Sequence, residues 1–145
     1  MKVIVDTSVW SLALRRGKQS SSRPVQELRN LVQDHRVQML GPIPQEILSG
    51  IRNDTEFRKL QKNLESFPDL PILTEDYVTA ARFFNLCRSK GVQGSNSDFL
   101  ISSVAVRNKF SIYTMDRDFE LFFKHLPIVL HKPVEFEPMA GPDQP

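Results

Sequence analysis

The first ten residues, MKVIVDTSVW, constrain the fold of this chain more than any other stretch. Residues 3–5 (V-I-V) form a β-branched apolar run of the kind found in a strand that is buried on both faces. Thr7 and Ser8 then supply residue types that commonly begin helices. The segment therefore predicts a buried strand that ends at Asp6 and is followed directly by a helix.

Asp6 occupies the end of this predicted strand. In an open α/β sheet, ligands bind beyond the carboxyl ends of the strands, so an acid placed there faces a crevice instead of the core. Asp is also a preferred residue at helix N-caps. Taken alone, Asp6 is therefore either a ligand-facing acid or only a cap for the helix that follows.

The composition predicts one soluble domain. The chain has 145 residues, of which 40% are hydrophobic and 25% are charged, which is ordinary for a globular protein. No apolar run is long enough to cross a bilayer, so we expect no membrane association and a cytoplasmic location. A single cysteine, Cys87, excludes an internal disulfide framework, and its apolar neighbours predict a buried thiol in a reducing compartment.

Predicted strands alternate with predicted helices along the chain. We expect strands at residues 3–5, 37–40, 70–73, 111–114 and 128–130. This alternation predicts an α/β fold with a parallel central sheet of about four to five strands and helices on both faces. We assign residues 1–137 to one domain and residues 138–145 to a flexible Pro- and Gly-rich tail.

Turn and cap residues separate these elements. Ser22, Asp54 and Thr74 are each expected to cap a helix. The polar, basic segment at residues 15–24 (RRGKQSSSRP) is expected to be a loop. It could contact a phosphate backbone, although solvated loops are commonly basic as well.

Three further acids lie where they could approach Asp6. Glu46 follows the second predicted strand, Asp98 opens a helix in GSNSDFLI, and Asp116 follows the strand at residues 111–114. The alternatives are a helix-dipole role for Glu46 and a capping box between Ser95 and Asp98. Parallel strands would bring the four acids to one rim, where they would repel each other without a cation. Oxygen-only ligands favour Mg²⁺ or Mn²⁺ over zinc.

Four motifs give the chain a specific resemblance: VIVDTSVW, QEILSGI, SDFLISSVA and YTMDRDF, in this order. They resemble those of PIN-domain proteins, and specifically the VapC-type ribonuclease toxins of toxin–antitoxin pairs. The resemblance covers nearly the whole chain. It implies a PIN-like fold for the domain at residues 1–137, and an acidic metal site formed by Asp6, Glu46, Asp98 and Asp116. It also implies supporting roles for three residues: Ser8, Thr114 and Asp118.

The function that this resemblance implies is a Mg²⁺- or Mn²⁺-dependent endoribonuclease. Activated water would hydrolyse RNA phosphodiesters, and a small antitoxin would hold the enzyme silent. We also expect a homodimer. Two aromatic pairs, Phe83-Phe84 and Phe122-Phe123, lie on predicted helices, where neighbouring positions are about 100° apart. One ring of each pair could therefore meet a partner helix or a second copy, unless wide apolar faces bury both rings.

Other classes of protein fit the sequence less well. Haloacid-dehalogenase-like phosphatases need a second Asp two residues after the first, where this chain has Ser8. A non-catalytic PIN-like module that binds RNA or protein is the main alternative, although such modules usually lose acids that this chain keeps. A metal-free ribonuclease would use two histidines, but we expect all three to be surface residues: His35, His125 and His131.

Overall fold

Four short parallel strands form the centre of the protein. The computed structural model describes residues 1–14 and 22–133. Within them the sheet has the order β2-β1-β3-β4. Its strands are β1 (Val3–Val5), β2 (Val37–Gln38), β3 (Ser111–Tyr113) and β4 (Val129–Leu130).

Helices connect these strands. The described residues contain α1 (Thr7–Leu14), α2 (Arg23–Gln33), α3 (Pro42–Leu48), α4 (Asp54–Leu64), α5 (Thr74–Ser89), α6 (Asn96–Asn108) and α7 (Asp118–Phe123). The prediction of an α/β fold with a parallel sheet is confirmed. Among these residues no helix has both the length and the apolar character needed to span a membrane.

Strand β1 is the most buried part of the sheet. Val3, Ile4 and Val5 are each 0% exposed. Successive side chains of a strand point to opposite faces, so both faces of β1 are covered. This explains why the sequence uses an unbroken β-branched run here instead of alternating apolar and polar residues.

The strand order places a topological switch point between β1 and β3. From β1 the chain runs through α1 and α2 to β2 on one side, and from β3 it runs through α7 to β4 on the other. Open α/β sheets bind ligands in the crevice that such a divergence creates beyond the strand ends. Val5 pairs with Tyr113, and the Asp6 amide donates to the Tyr113 carbonyl at 2.8 Å. The two strands therefore end side by side at this crevice.

The predicted strand at residues 70–73 is wrong. Only a single parallel bridge joins Met39 to Asp69, supported by one bond from the Leu70 amide to the Met39 carbonyl at 3.0 Å. Pro71 has no N–H to donate, so the ladder cannot continue past this point. The second strand is also shorter than expected, with two residues instead of four.

Two helix caps differ from the predictions. Asn53, not Asp54, is the N-cap of α4, and its Oδ1 accepts the Glu56 amide at 3.0 Å. Ser22 stands at the N-cap of α2 as predicted, but its hydroxyl makes no capping bond. Thr74 is the first residue of α5 and not its cap. In α4 and α5 the residue before the predicted cap, Asn53 or Leu73, has the extended backbone that is typical of an N-cap.

His131 contradicts the expectation that all three histidines lie on the surface. Its side chain is only 11% exposed, and its Nε2 lies 3.0 Å from Oε1 of Glu27. Its ring meets that of Tyr113 edge to face, with centroids 5.4 Å apart. His35, by contrast, is exposed. His131 is therefore a packing residue between α2 and the end of β4.

The aromatic pairs and the cysteine take different environments. Phe122 is fully buried and Phe123 is 54% exposed, as expected for neighbouring helical positions. Phe83 and Phe84 are both half-buried, so neither alternative holds fully for that pair.

Cys87 is buried as predicted, and burial raises the pKa of its thiol. The basic segment at residues 15–21 and the tail at residues 138–145 lie outside the described residues.

Candidate active site

Asp6 sits at the carboxyl end of β1 with 5% of its surface exposed. Its Oδ2 accepts hydrogen bonds from the Ser8 hydroxyl at 2.8 Å and the Thr114 hydroxyl at 2.9 Å. One donor follows β1 and the other follows β3, so the carboxylate is held from both sides of the crevice. Its other oxygen, Oδ1, receives no hydrogen bond from the described part of the chain.

The two hydroxyls also bind the backbone that follows β3. Ser8 Oγ accepts the Met115 amide at 3.0 Å, and Thr114 Oγ1 accepts the Asp116 amide at 2.9 Å. A hydroxyl has one proton, and here each proton goes to Asp6. The 3.3 Å contact between the two hydroxyls is therefore a close approach without a donated proton. The network links the loop after β1 to the loop after β3.

Asp116 lies in the loop between β3 and α7. Its Oδ1 accepts the Asp118 amide at 2.9 Å, which closes a local turn at the start of that helix. The side chain of Asp118 is exposed in the first turn of α7 and has no hydrogen bond to Asp6, Glu46 or Asp98. Within the described chain, Asp118 therefore contacts the candidate acids only through its backbone amide, which donates to Asp116.

Asp98 takes part in the N-terminal capping box of α6, and its pKa is raised. Its amide donates to Ser95 Oγ at 3.1 Å, and its Oδ2 accepts the Ser95 amide at 3.2 Å, which is the capping box that the sequence allowed. Burial raises the pKa of Asp98 from 3.8 to about 6 against the effect of these bonds, and the charges of Asp6 and Asp116 add to the rise. Asp98 is therefore near enough to Asp6 and to Asp116 for each of these carboxylates to disfavour its charge.

Asp76 provides an internal comparison, because it has the same local position on α5. Its Oδ2 accepts the Leu73 amide at 2.8 Å, three residues earlier, as Asp98 does with Ser95. Asp76 is buried, which opposes ionisation, but two bonds from Arg107 at 2.6 and 2.9 Å hold the pKa of its carboxyl below the ordinary value. Asp98 has no such partner among the described residues.

Glu46 reaches the site from α3. Its Oε2 accepts the hydroxyl of Thr7, the first residue of α1, at 3.0 Å. Thr7 neighbours Asp6, so this bond places Glu46 beside the end of β1. The sequence identified Thr7 only as a helix-initiating residue, and nothing local predicts a contact with a residue 39 positions away.

A family model described as "PIN domain" matches residues 3–122 of the chain. The chain belongs to the PIN domain family. The match includes all four candidate acids: Asp6, Glu46, Asp98 and Asp116. The family expectation drawn from the four sequence motifs is therefore confirmed.

Proteins similar to this PIN domain carry ribonuclease names. VapC ribonuclease Mb1587 of Mycobacterium bovis and Ribonuclease VapC11 of Mycobacterium tuberculosis are each 30% identical to it over 123 residues. These residues span 82% of this chain and 90% of each relative.

Two solved structures share the fold of this chain. FitAcB from Neisseria gonorrhoeae matches with a TM-score of 0.71 and 20% identity, over 90% of this chain and 97% of that one. VapBC2 from Rickettsia felis, bound to a DNA fragment from their promoter, matches with a TM-score of 0.71 and 15% identity, over 90% and 98%. At these identities the similarity shows a shared fold.

The donor chemistry of this PIN domain suits a hard cation. The four acids and their neighbouring hydroxyls offer only oxygen atoms, the donors that Mg²⁺ and Mn²⁺ prefer. No Lys, Arg or His of the described residues forms an ion pair with any of the four acids. Across residues 1–14 and 22–133, no three acid, histidine or cysteine side chains are placed closely enough to hold one ion together. Coordination of one ion by three or more of these carboxylates would therefore require them to move towards each other.

Proposed function

We propose that this PIN domain is a Mg²⁺- or Mn²⁺-dependent endoribonuclease, with Asp6, Glu46, Asp98 and Asp116 as its metal-binding acids. The observation that carries the proposal is the position of Asp6. It lies at the β1–β3 switch point, held by two hydroxyls and unpaired with any described cation. The ribonuclease names of the 30% identical relatives support the reaction class.

The chain's own residues orient the acids. Ser8 and Thr114 hold one oxygen of Asp6 and leave the other available for a ligand. The Ser95 amide holds Asp98 through Oδ2, and the Asp118 amide holds Asp116 through Oδ1. Each carboxylate thus has one oxygen engaged by the protein, which limits its rotation before any ligand arrives.

A divalent cation bound by these acids would supply a Lewis acid that lowers the pKa of water and neutralises charge on the leaving oxygen. Asp6 would hold the cation at the carboxyl end of β1, together with Asp98, Asp116 and Glu46, the last of which accepts the Thr7 hydroxyl. No side chain would act as the nucleophile. An RNA phosphodiester placed over the crevice would be hydrolysed by in-line attack of water, with the acids holding the cation beside it.

Cleavage of total RNA with and without EDTA tests the metal requirement. We expect cleavage by the wild-type protein with Mg²⁺ or Mn²⁺, and none with EDTA. Asp6→Asn should abolish cleavage without unfolding the protein. The matched control is Asp54→Asn, which removes an equal charge from an exposed i,i+4 pair with Arg58. Full activity of Asp6→Asn would exclude the proposed site.

The ends of the products test the attacking group. Water attack does not use the neighbouring 2′-hydroxyl, so RNA with one 2′-deoxy sugar at the cut should still be cleaved to a 5′-phosphate. A histidine-based ribonuclease would instead produce a 2′,3′-cyclic phosphate. That product would overturn the proposal. RNA binding without any cleavage would favour the alternative, a non-catalytic PIN-like module.

We further propose that the protein is the toxin of a type II toxin–antitoxin pair, active in the cytoplasm and assembled as a homodimer. Toxin–antitoxin complexes among the structures of the same fold, and the VapC names of the relatives, support this proposal. The exposed ring of Phe123 offers a contact for a partner. Co-expression with the neighbouring reading frame should yield a small protein that co-purifies and inhibits cleavage. If that frame encodes no such inhibitor, the toxin assignment fails and the nuclease assignment is unaffected.

A further inference from the structure

A cavity of about 760 Å³ lies between α3, α5 and α6. Its floor includes Phe99 and Ala80, which are buried, and Phe84, whose ring meets Phe99 edge to face at 5.6 Å. Its rim includes the exposed residues Tyr77 and Gln45. This volume is within the range of pockets that bind small organic ligands.

The side chains that line the cavity are all uncharged. Three of them are carboxamides on the exposed rim, namely Gln45, Asn85 and Asn96. None of these three side chains makes a hydrogen bond to another residue in the described ranges. The cavity therefore offers an apolar floor together with unused donors and acceptors, and no charge that would hold a phosphate.

Helices α3 and α6 each carry both a residue that lines this cavity and one of the four candidate acids. Gln45 on the rim directly precedes Glu46, and Ser97 in the wall directly precedes Asp98. Glu46 and Asp98 do not line the cavity themselves, but each directly follows, on the same helix, a residue that does. On α5, the lining residues Tyr77, Ala81 and Phe84 are spaced about one helical turn apart, so they lie on the same side of the helix.

We propose that this cavity binds one unpaired nucleobase of the RNA, adjacent to the phosphodiester that is cut. The inference rests on the proposed ribonuclease function and adds a specificity subsite to it. Proteins recognise single-stranded RNA by stacking bases on aromatic rings and by hydrogen bonds to the base edges. Tyr77 is 55% exposed and supplies the ring. The three carboxamides have the donor and acceptor pair that recognises a base edge.

An uncharged base fits this lining better than the other occupants. A phosphate would need cations or clustered amides, and the lining side chains carry no charge. A second copy of the chain is the remaining candidate, because Tyr77 and Val78 expose apolar surface on α5. The carboxamides sit on the exposed rim and not at the apolar centre of a patch, which suits a polar base edge, and a second copy is kept as an outcome of the test.

The test combines a cavity-filling variant with a substrate that lacks the base. Ala81→Phe places a ring in the cavity from an exposed position, and Tyr77→Ala removes the stacking ring. Val78→Phe is the matched control, because it adds the same ring to α5 outside the cavity lining. Each protein is assayed for kcat/KM with Mg²⁺ on an RNA cut at one mapped position. The same RNA is then used with an abasic ribose on either side of the cut.

We expect Ala81→Phe and Tyr77→Ala to lower kcat/KM on the intact RNA about tenfold or more, the effect of one lost base stack. Val78→Phe should match the wild type. On one of the two abasic RNAs the wild type should fall to the level of the variants, and the variants should lose nothing further. Two results would overturn the subsite. In one, the variants have the same kcat/KM as the wild type on the intact RNA. In the other, the ratio of wild-type to variant kcat/KM is the same on the intact RNA and on both abasic RNAs.

Sedimentation velocity of the same proteins separates the second copy from the base. A dimer that dissociates only in Ala81→Phe would identify the second copy as the occupant and would also overturn the subsite. If the wild type cuts no RNA under any condition, the proposed ribonuclease function itself fails. Cleavage by the wild type with unaffected variants removes only the nucleobase assignment.

Discussion

Replacing Asp98 by asparagine should stabilise the cation-free protein at neutral pH while abolishing RNA cleavage. An asparagine keeps an oxygen that can accept the Ser95 amide, so the cap of α6 is retained. What it removes is a carboxylate that burial and the charges of Asp6 and Asp116 disfavour in its ionised form. The gain in stability would come from that lost charge.

The size of the effect follows from the pKa of Asp98. A rise from 3.8 to about 6 corresponds to about 3 kcal/mol at pH values well above both numbers. Because the carboxylate is half-buried, solvent screens part of the repulsion, and we expect about 1–2 kcal/mol. For a protein of 145 residues this is a rise in Tm of about 3–8 °C.

The pH dependence has a defined direction. The pKa of Asp98 is higher in the folded state, so the folded protein binds the proton more tightly than the unfolded chain does. The wild type should therefore lose stability as the pH rises from about 4 through about 6. The advantage of Asp98→Asn should be absent below about pH 4 and complete above about pH 7. Thermal unfolding in EDTA at a series of pH values measures both proteins.

Asp76→Asn is the matched control, because Asp76 accepts the equivalent amide on α5 but has Arg107 as its partner. The pKa of Asp76 is lowered in the folded state, so its contribution to stability is present above about pH 4 and is lost in acid. Asp76→Asn should therefore lower Tm at neutral pH, opposite to Asp98→Asn. The same chemical change would then have opposite effects on Tm at two acids that occupy the same position in the first turn of their helices.

Addition of Mg²⁺ completes the experiment. The cation should raise the Tm of the wild type at neutral pH and have a much smaller effect on Asp98→Asn. A lower or unchanged Tm for Asp98→Asn in EDTA would refute the repulsion argument. A difference in Tm between the wild type and Asp98→Asn that does not change between pH 4 and pH 7 would refute it independently.

Three further predictions concern the packing and orientation of the site. Gly94→Ala should lower the free energy of unfolding by about 1–3 kcal/mol, because the added Cβ would lie 2.5 Å from the buried Phe122 ring. Gly41→Ala, whose added Cβ would have nothing within 4 Å, should cost much less in the same denaturant titration; equal losses would contradict the packing argument. Thr114→Val should lower kcat for RNA more than it changes KM, because it removes a donor to Asp6 and the acceptor of the Asp116 amide; an unchanged kcat would exclude a positioning role. Tyr113→Phe should cost about 0.5–1.5 kcal/mol through its lost bond to the Pro24 carbonyl, and cleavage should be unaffected.

Short-range patterns determined much of the fold and the candidate site. The β-branched run at residues 3–5 predicts β1. The end of that run predicts that Asp6 lies at the carboxyl end of the strand. The capping box of Ser95 and Asp98 is a three-residue spacing, and the structure contains it. Such features depend on bonds between residues a few positions apart, so the sequence alone specifies them.

Contacts between distant elements were decided only by the tertiary structure. The bond between Thr7 and Glu46 joins helices far apart in the chain. The segment at residues 70–73 has strand-forming residues but pairs only once, because of Pro71 and the position of β2. Asp76 and Asp98 have the same local pattern, and packing gives one of them Arg107 and leaves the other facing two acids. Because burial and opposing charges depend on which helices meet, the local sequence predicted where these carboxylates lie but not their pKa values.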